Sequence, residues 1–586
     1  TAEIDPADVS VELINIWNES LTNSRLENFV GGCTADGATG EECYNTLATC
    51  ASNQDYDGSS TLTLRFSMAG TAPIMGENVY PAVKSINIAP TKLAPGKGLS
   101  SRSKVEVKLI DFTDADRLTD PYFADRDYIA TDQGTFFGKL LARNKHHQTR
   151  DMRVKVGYFP SDGSAADLTD FDRTYNYIID RIEGVDAKGN VTIVGKDILS
   201  LADGLKVKVP EASTGTLNGA ITDVATSLTL QSGEGSDYDA SGYVRIGDEI
   251  IQYTGITTDT LTGLTRGSAG TTAAAHSDDD SVQQCVEYGF SSTQRVDVVV
   301  DDLLQTYAGI SASYIPLATD WDSEADTWLA SYNLKNIISE PTELNKLLDQ
   351  ICVECGIDLW WSDVDQEVKL KAQVPATSSV DTLDDNLILR DKASIKSDIK
   401  DRLSQVYFYT GRRDYTGNDD DVGNYSSVAV RVDADSEGSE EYNSKGIKKV
   451  FCQWVNTAAL AGQQASRLLN RYVEPPQQLK ATIDISQTDF ETGDLFLLDS
   501  DICQGADGSN KTLEFQMLST KLDADKQTIA VEGLRFLSSV GNSAFVSATS
   551  ATGDYTTATG DANPTWSWIA ATGGQMPNGD DPYLII

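Results

Sequence analysis

The sequence is short of several things, and each shortage narrows what the chain does. Its longest apolar runs are brief, such as Phe496-Leu497-Leu498, far from the roughly 20 consecutive apolar residues of a membrane helix. No membrane anchor is expected. Basic residues are scarce, with 47 Lys+Arg against 88 Asp+Glu and a formal charge of −41. A field of that sign repels nucleic acid and anionic lipid, so specific nucleic-acid binding is not expected either. The first residues, Thr1-Ala2-Glu3-Ile4-Asp5, show neither the basic nor the apolar part of a secretory signal.

Histidine is rarer still. His146, His147 and His276 are the three in the chain, and a Ser-His-Asp or Cys-His arrangement would have to use one of them. No P-loop, dinucleotide fingerprint or zinc-protease helix is present. Asp-rich pieces such as "DYDGSS" and "NDDDVGN" lack the twelve-residue pattern of a calcium loop. Abundant acids allow a glycosidase pair on paper, but nothing singles one out. The expectation is a non-enzyme with no catalytic residue.

What is there reads mainly as β-structure. Runs of four to eight residues alternate in character, as in Thr61–Phe66, Lys104–Ile110 and Arg153–Phe159, with Gly, Asp, Asn and Ser turns between them. Three helices are predicted. One covers about Ala7 to Phe29. A second runs from about Pro341 to Cys355 with Ser339 as N-cap, and its Leu344, Leu347, Leu348 and Ile351 follow amphipathic spacing. The third runs from about Thr457 to Val473 and stops before Pro475-Pro476. Helices isolated among many strands point to a multi-domain fold of tandem β-barrels or sandwiches, mainly β with a few helices.

Composition and pattern divide the chain into residues 1–60 (N-terminal helix and cysteine loop), 61–208 (first β-barrel) and 209–284 (a small inserted β-module). Residues 285–400 form a domain holding the 341–355 helix, 401–537 a further β-barrel, and 538–586 a C-terminal extension. In the inserted segment, Gly247-Asp248 fits a tight hairpin turn between two alternating strands.

Eight cysteines are few for this length, yet Cys33, Cys43 and Cys50 fall close together in "FVGGCTADGATGEECYNTLATC". Three ligands from one loop commonly need a fourth, and Cys285, where the chain leaves the inserted module, is the natural candidate. Four thiolates suit tetrahedral zinc or an iron–sulfur cluster; two disulfides or free thiols remain open on the residues alone. Cys352 and Cys355 form a C-x-x-C, but positions 344, 348, 352 and 355 share one helical face, so both read as core thiols. A second metal site with Cys452 and Cys503 is the weaker alternative.

Two stretches carry a family resemblance. "GDEIIQYTGI…LTGLTRGSAGTTAAAH" closely resembles a module found in many phage tail proteins. "WNESLTNSRLENFVGGC…C…C" followed by a β-rich region resembles the tail-tip proteins of lambda-like phages and gene transfer agents. The order of "VDDLLQTYAGI", "ISEPTELNKLLDQICVECGIDLWW", "AGQQASRLLNRYVEPPQQLKATIDI" and "DFETGDLFLLDS" is similar to phage baseplate-hub proteins. The resemblance implies a structural subunit at the distal end of a phage tail, a homotrimeric ring completing the tail tube. It also implies a [4Fe-4S] cluster held by Cys33, Cys43, Cys50 and Cys285. Its partners would be the distal tail protein and tail tube, the tape-measure protein C-terminus, and a central fibre or receptor-binding tip protein. The acidity then fits the lining of a channel through which DNA slides, beside the plainer readings of a saline habitat or a solubility device. Competing readings are a secreted adhesin stabilised by calcium or disulfides, and a tail-associated hydrolase.

Overall fold

The computed structural model describes residues 8–13, 63–68, 74 and 78–535, the last with short omissions (115–133, 145–146, 158–166, 169–170, 172, 204–206, 375–380, 390–391, 485–489, 506, 524–525 and 527). Residues 543–545, 567–570 and 583–585 are also described. The fold is mainly β. A closed barrel opens the chain, built from β1 (Asp8–Leu13), β2 (Leu64–Met68), β3 (Val79–Ala89), β4 (Lys104–Ile110), β5 (Asp151–Gly157), β6 (Arg173–Glu183) and β7 (Asn190–Lys196), in the order β1-β2-β3-β4-β7-β6-β5. β1 closes it by pairing with both β2 and β5. Alternation drives the closure: Val105, Val107 and Leu109 point inward with Met152, Val154, Val191 and Ile193, while their neighbours face out. The short helix Phe136–Arg143 plugs the barrel with Phe136 and Phe137.

The helix predicted over Ala7–Phe29 is corrected here. Residues Asp8–Leu13 are a strand, because "DVSVEL" alternates with period two and finds ladder partners on both sides. The remainder of that prediction lies outside the described residues.

The inserted segment builds its own small core from Leu217, Leu228, Leu230, Tyr238, Val244, Ile246, Ile251, Tyr253, Leu261 and Val282. Gly242–Ile246 and Glu249–Tyr253 form a hairpin whose turn is Gly247-Asp248, with Gly247 at φ +59°. The left-handed conformation there is the one a two-residue turn needs. The strand Gln283–Tyr288 then pairs with Gly242–Ile246 on one side and Asn336–Ile338 on the other, carrying the module's sheet into the rest of the chain.

The largest core lies beyond. Helices Val296–Asp302, Leu344–Cys355 and Ala458–Tyr472 pack with the hairpin Ile357–Ser362/Glu367–Ala372 and with a three-stranded sheet of Gln405–Arg412, Tyr425–Val432 and Ile447–Phe451. Helical turns not read from the sequence also enter it, among them the wide π-type turns Leu303–Tyr307 and Leu317–Trp321. The boundary drawn at 400/401 does not divide two cores. Val406, Phe408, Trp454 and Leu468 share one cluster with Leu344, Ile351 and Trp360. The second helix begins at Leu344 with Glu343 in the cap position, and not at Pro341 behind Ser339, because Thr342-Glu343 pair with Lys208-Val209 as strands.

A six-stranded sheet follows, in the order Thr382–Asp384, Leu495–Asp499, Leu513–Asp523, Thr528–Arg535, Gln477–Asp484, Ser394–Ser397. It curls around Leu383, Phe496, Phe515, Ile529 and Ile483 without closing among the described residues. The barrel touches this sheet directly: Leu93 N donates to Leu518 O at 2.9 Å, and Lys92 pairs with Glu532.

Candidate functional site

Cys285 sits on the strand Gln283–Tyr288 opposite Tyr243 and is 3% exposed. It packs with Tyr243, Ile250, Ile337 and Tyr415. Burial pushes its thiol well above the ordinary range, opposed only weakly by Arg245. A metal ligand must be a thiolate, and this pocket favours the neutral thiol. A coordinating metal deprotonates its thiol outright, so the buried neutral thiol describes Cys285 in the metal-free chain. Cys33, Cys43 and Cys50 lie outside the described residues. Among the described residues no group of three or more Cys, His, Asp or Glu could hold a metal.

Cys352 and Cys355 extend the apolar stripe of their helix into the central core, where Cys452 also lies; all three are buried free thiols raised by burial. Cys503 belongs to the core of the six-stranded sheet instead. The residue that ties this region together stands between the two cysteines. Glu354, 1% exposed, accepts from the backbone N–H groups of Gln453 (2.7 Å), Trp454 (2.8 Å) and Val455 (2.9 Å). Burial lifts its carboxyl to about 7 against those donors. Its position was legible: Glu354 follows Leu347 by seven and Ile351 by three, so a carboxylate sits on the apolar face and needs buried donors.

The tail-protein-like motif of the inserted module resolves into one buried cluster. Glu249, 1% exposed, takes Arg266 through Nε (2.9 Å) and a terminal nitrogen (2.7 Å), the N–H groups of Gly267 (2.9 Å) and Ala274 (3.1 Å), and His276 Nε2 (2.7 Å). These donors, led by the Arg266 guanidinium, outweigh burial and hold the Glu249 carboxyl down to about 2. Arg266 also donates to the carbonyls of Thr222 and Ala274. The Glu, Arg, Gly and His of the motif therefore fasten a long loop to a hairpin. His276 reaches Glu249 from 27 positions away and also bridges Ile221 through the backbone.

A second carboxylate cluster joins the barrel to the central core. Ser103 donates its N–H to Asp197 at 2.6 Å and its hydroxyl to Asp363 at 3.2 Å, with the Tyr177 hydroxyl 3.4 Å away. Asp363 Oδ1 is buried and has no hydrogen-bond partner among the described residues. Burial raises the Asp197 carboxyl to about 6 and the Asp363 carboxyl well above its usual range, the latter helped by the Asp197 charge. Trp361 Nε1 and Asn176 Nδ2 cross the same junction, donating to the carbonyls of Asn176 and Asp363.

An open cleft of about 350 Å³ beside this junction is lined by Asp320, Glu324, Asp365, Glu491 and Asp494. Lys369 neutralises part of it through Asp320, Asp365 and Glu367. Burial raises Glu491 and Asp494. No histidine lines this cleft.

No family model and no curated protein matches the sequence. Solved structures with a similar arrangement include the tail protein from Neisseria meningitidis MC58, at 11% identity over 77% of this chain and 96% of that one, with a TM-score of 0.38. Prophage tail protein gp18 from Listeria monocytogenes EGD-e aligns at 10% identity over 77% and 89%, with a TM-score of 0.32. A chain of the native gene transfer agent particle aligns at 10% identity over 57% and 87%, with a TM-score of 0.32.

Proposed function

We propose that the chain is a structural subunit of a phage-type tail tip, a baseplate-hub protein that forms a trimeric ring at the distal end of the tail tube and lets DNA pass. The observation that carries this reading is the architecture. A closed barrel and a curled six-stranded sheet, touching each other, flank one helical core. Ordered motifs along residues 297–498 resemble those of hub proteins. Closure removes sheet edges that would otherwise pair at random, and buried polar joints fix the modules at set angles, as a ring requires. A net charge of −41 keeps passing DNA from adhering. Partners of this subunit would be the tube, the distal tail protein, the tape-measure C-terminus and a receptor-binding tip protein.

The sulfur cluster belongs to the proposal as the resemblance implies it, held by Cys33, Cys43, Cys50 and Cys285. Iron and sulfide analysis of the purified chain tests this: stoichiometric iron that is lost in Cys33→Ser and in Cys285→Ser is expected, and iron that survives Cys285→Ser would remove Cys285 from the ligand set. The function itself is tested by labelling the chain in particles. Three copies at the distal tail end are expected; absence from particles overturns the reading.

A further inference from the structure

One face of the three-stranded sheet is unlike the rest of the molecule. The strands Gln405–Arg412, Tyr425–Val432 and Ile447–Phe451 contain no Asp or Glu, in a chain where acids outnumber bases 88 to 47. The helix Ala458–Tyr472 covers the inner face, over Phe408, Ala429 and Val450. The outer face carries Val428, Val430 and Val432 in a row, 44%, 37% and 49% exposed, with Ile447 at 52%. The register sets Val428 beside Tyr409, with Phe451 on the far side of that central strand, Val430 likewise beside Tyr407 and then Lys449, and Val432 beside Gln405 and then Ile447. Tyr409 stacks on Phe451 at 4.8 Å, which stiffens one end. Among the described residues Tyr425–Val432 pairs with one strand alone, so its outer edge is open. An open, β-branched edge with no acidic residue and one arginine is a pairing hazard that proteins normally blunt with more charge or cover.

We infer that this face is covered by a second copy of the chain, docked head to tail; the inference rests on the ring proposed above and names its contact surface. Charge selects the occupant. A copy carrying −41 is repelled across most of another copy's surface, and this acid-free strip is where an acid-rich surface approaches without like-charge opposition. Lys449, exposed and without an ion pair among the described residues, supplies the attraction. A two-fold contact would set Lys449 against Lys449 and leave the acid-rich surfaces unmatched. A head-to-tail contact sets this face against a different, acidic surface, and repeated contacts of that kind close rings.

The test is sedimentation of the full chain over a wide concentration range for wild type, Val430→Asp, Lys449→Glu and the control Val224→Asp, whose site in the inserted module is 77% exposed. Wild type and Val224→Asp are expected to self-associate alike. Val430→Asp should weaken association about tenfold or more, and Lys449→Glu should weaken it too, with unchanged melting temperatures. Should Val430→Asp misfold, Val432→Asp on the same face replaces it. A wild-type chain that stays monomeric throughout overturns the inference, including the case in which another protein covers the face. Association unaffected by Val430→Asp or Val432→Asp also overturns it, while leaving the ring reading intact, because that reading is tested separately by location in particles.

Discussion

Replacing Glu249 by glutamine removes one charge from the middle of the inserted module and changes almost nothing in shape. The carboxylate is held at about 2 instead of 4.5, which corresponds to about 3 kcal/mol of preference for the ionised folded form. Glu249, Arg266 and His276 are all largely buried, and a glutamine that keeps one acceptor in their network forfeits about 2 kcal/mol of that preference. Glutamine offers one acceptor oxygen in place of two and turns an amide N–H₂ toward Arg266 or His276. The expected loss is therefore about 2 kcal/mol, read as faster hydrogen exchange over the hairpin Gly242–Tyr253 at neutral pH, where local opening free energy is measured directly. Glu249→Ala should lose more, about 3–5 kcal/mol, because Arg266 would stay buried and unpaired. Acid dependence gives a second reading. A depressed carboxyl contributes its full stability above the unfolded value near 4.5, and that contribution fades as pH falls through the range toward 2. Wild-type protection should decline over that acid limb, and that of the glutamine variant should decline less. Equal protection at neutral pH, or identical acid limbs, would refute the assignment of Glu249 as the fastening group.

Three other outcomes follow from the same geometry. Glu354→Gln should cost about 2 kcal/mol in urea unfolding, because an amide N–H₂ would face one of the three backbone donors of residues 453–455. Asp363→Asn should stabilise the chain by about 1–2 kcal/mol at pH 8 and little near pH 3: carboxyls raised in the folded state lose stability as pH climbs from the unfolded value near 4 through the folded one, and the amide removes that loss at the Ser103 junction. Gly493→Ala should cost about 2 kcal/mol or more, since φ is +97° and a Cβ would lie 2.5 Å from Trp360 Cζ2; the melting temperature reports it.

The parts of the fold that were legible are those where one rule governs. Lys104–Ile110 alternates and is a strand with the predicted bounds, and Ala458–Tyr472 ends before Pro475 as proline geometry demands. Gly247-Asp248 turns where expected because a left-handed residue permits little else. The failures occur where distant partners decide. Asp8–Leu13 is a strand only because β2 and β5 supply ladders on both sides. Thr342-Glu343 leave the helix for a pairing with residues 208–209, more than a hundred positions away. At the candidate sites, the motif ending in His276 was recognisable, yet its meaning hinged on a glutamate read only as part of a strand. In the C-x-x-C, the informative residue was Glu354 and not either thiol.

Several buried carboxylates lie at joints between packed elements, and that placement bears on what they do. Asp197 and Asp363 meet through Ser103 where the barrel abuts the central core. Asp358 meets Gln516 at 2.8 Å, and Gln516 meets Arg471, where that core abuts the six-stranded sheet. Glu354 clamps a helix to the strand exit at residues 453–455. Apolar contacts would bind these modules as tightly, since buried ions rarely add net stability, but apolar faces slide and rotate at small cost. Directional bonds at each joint fix the angle between barrel, core and sheet. The ring proposed above would require that angle more than extra stability, so on that reading substitutions at these joints should disturb assembly before they lower melting temperature. Asp363→Asn separates the two effects: a chain that melts no lower but no longer assembles would locate the function of the joint in its geometry.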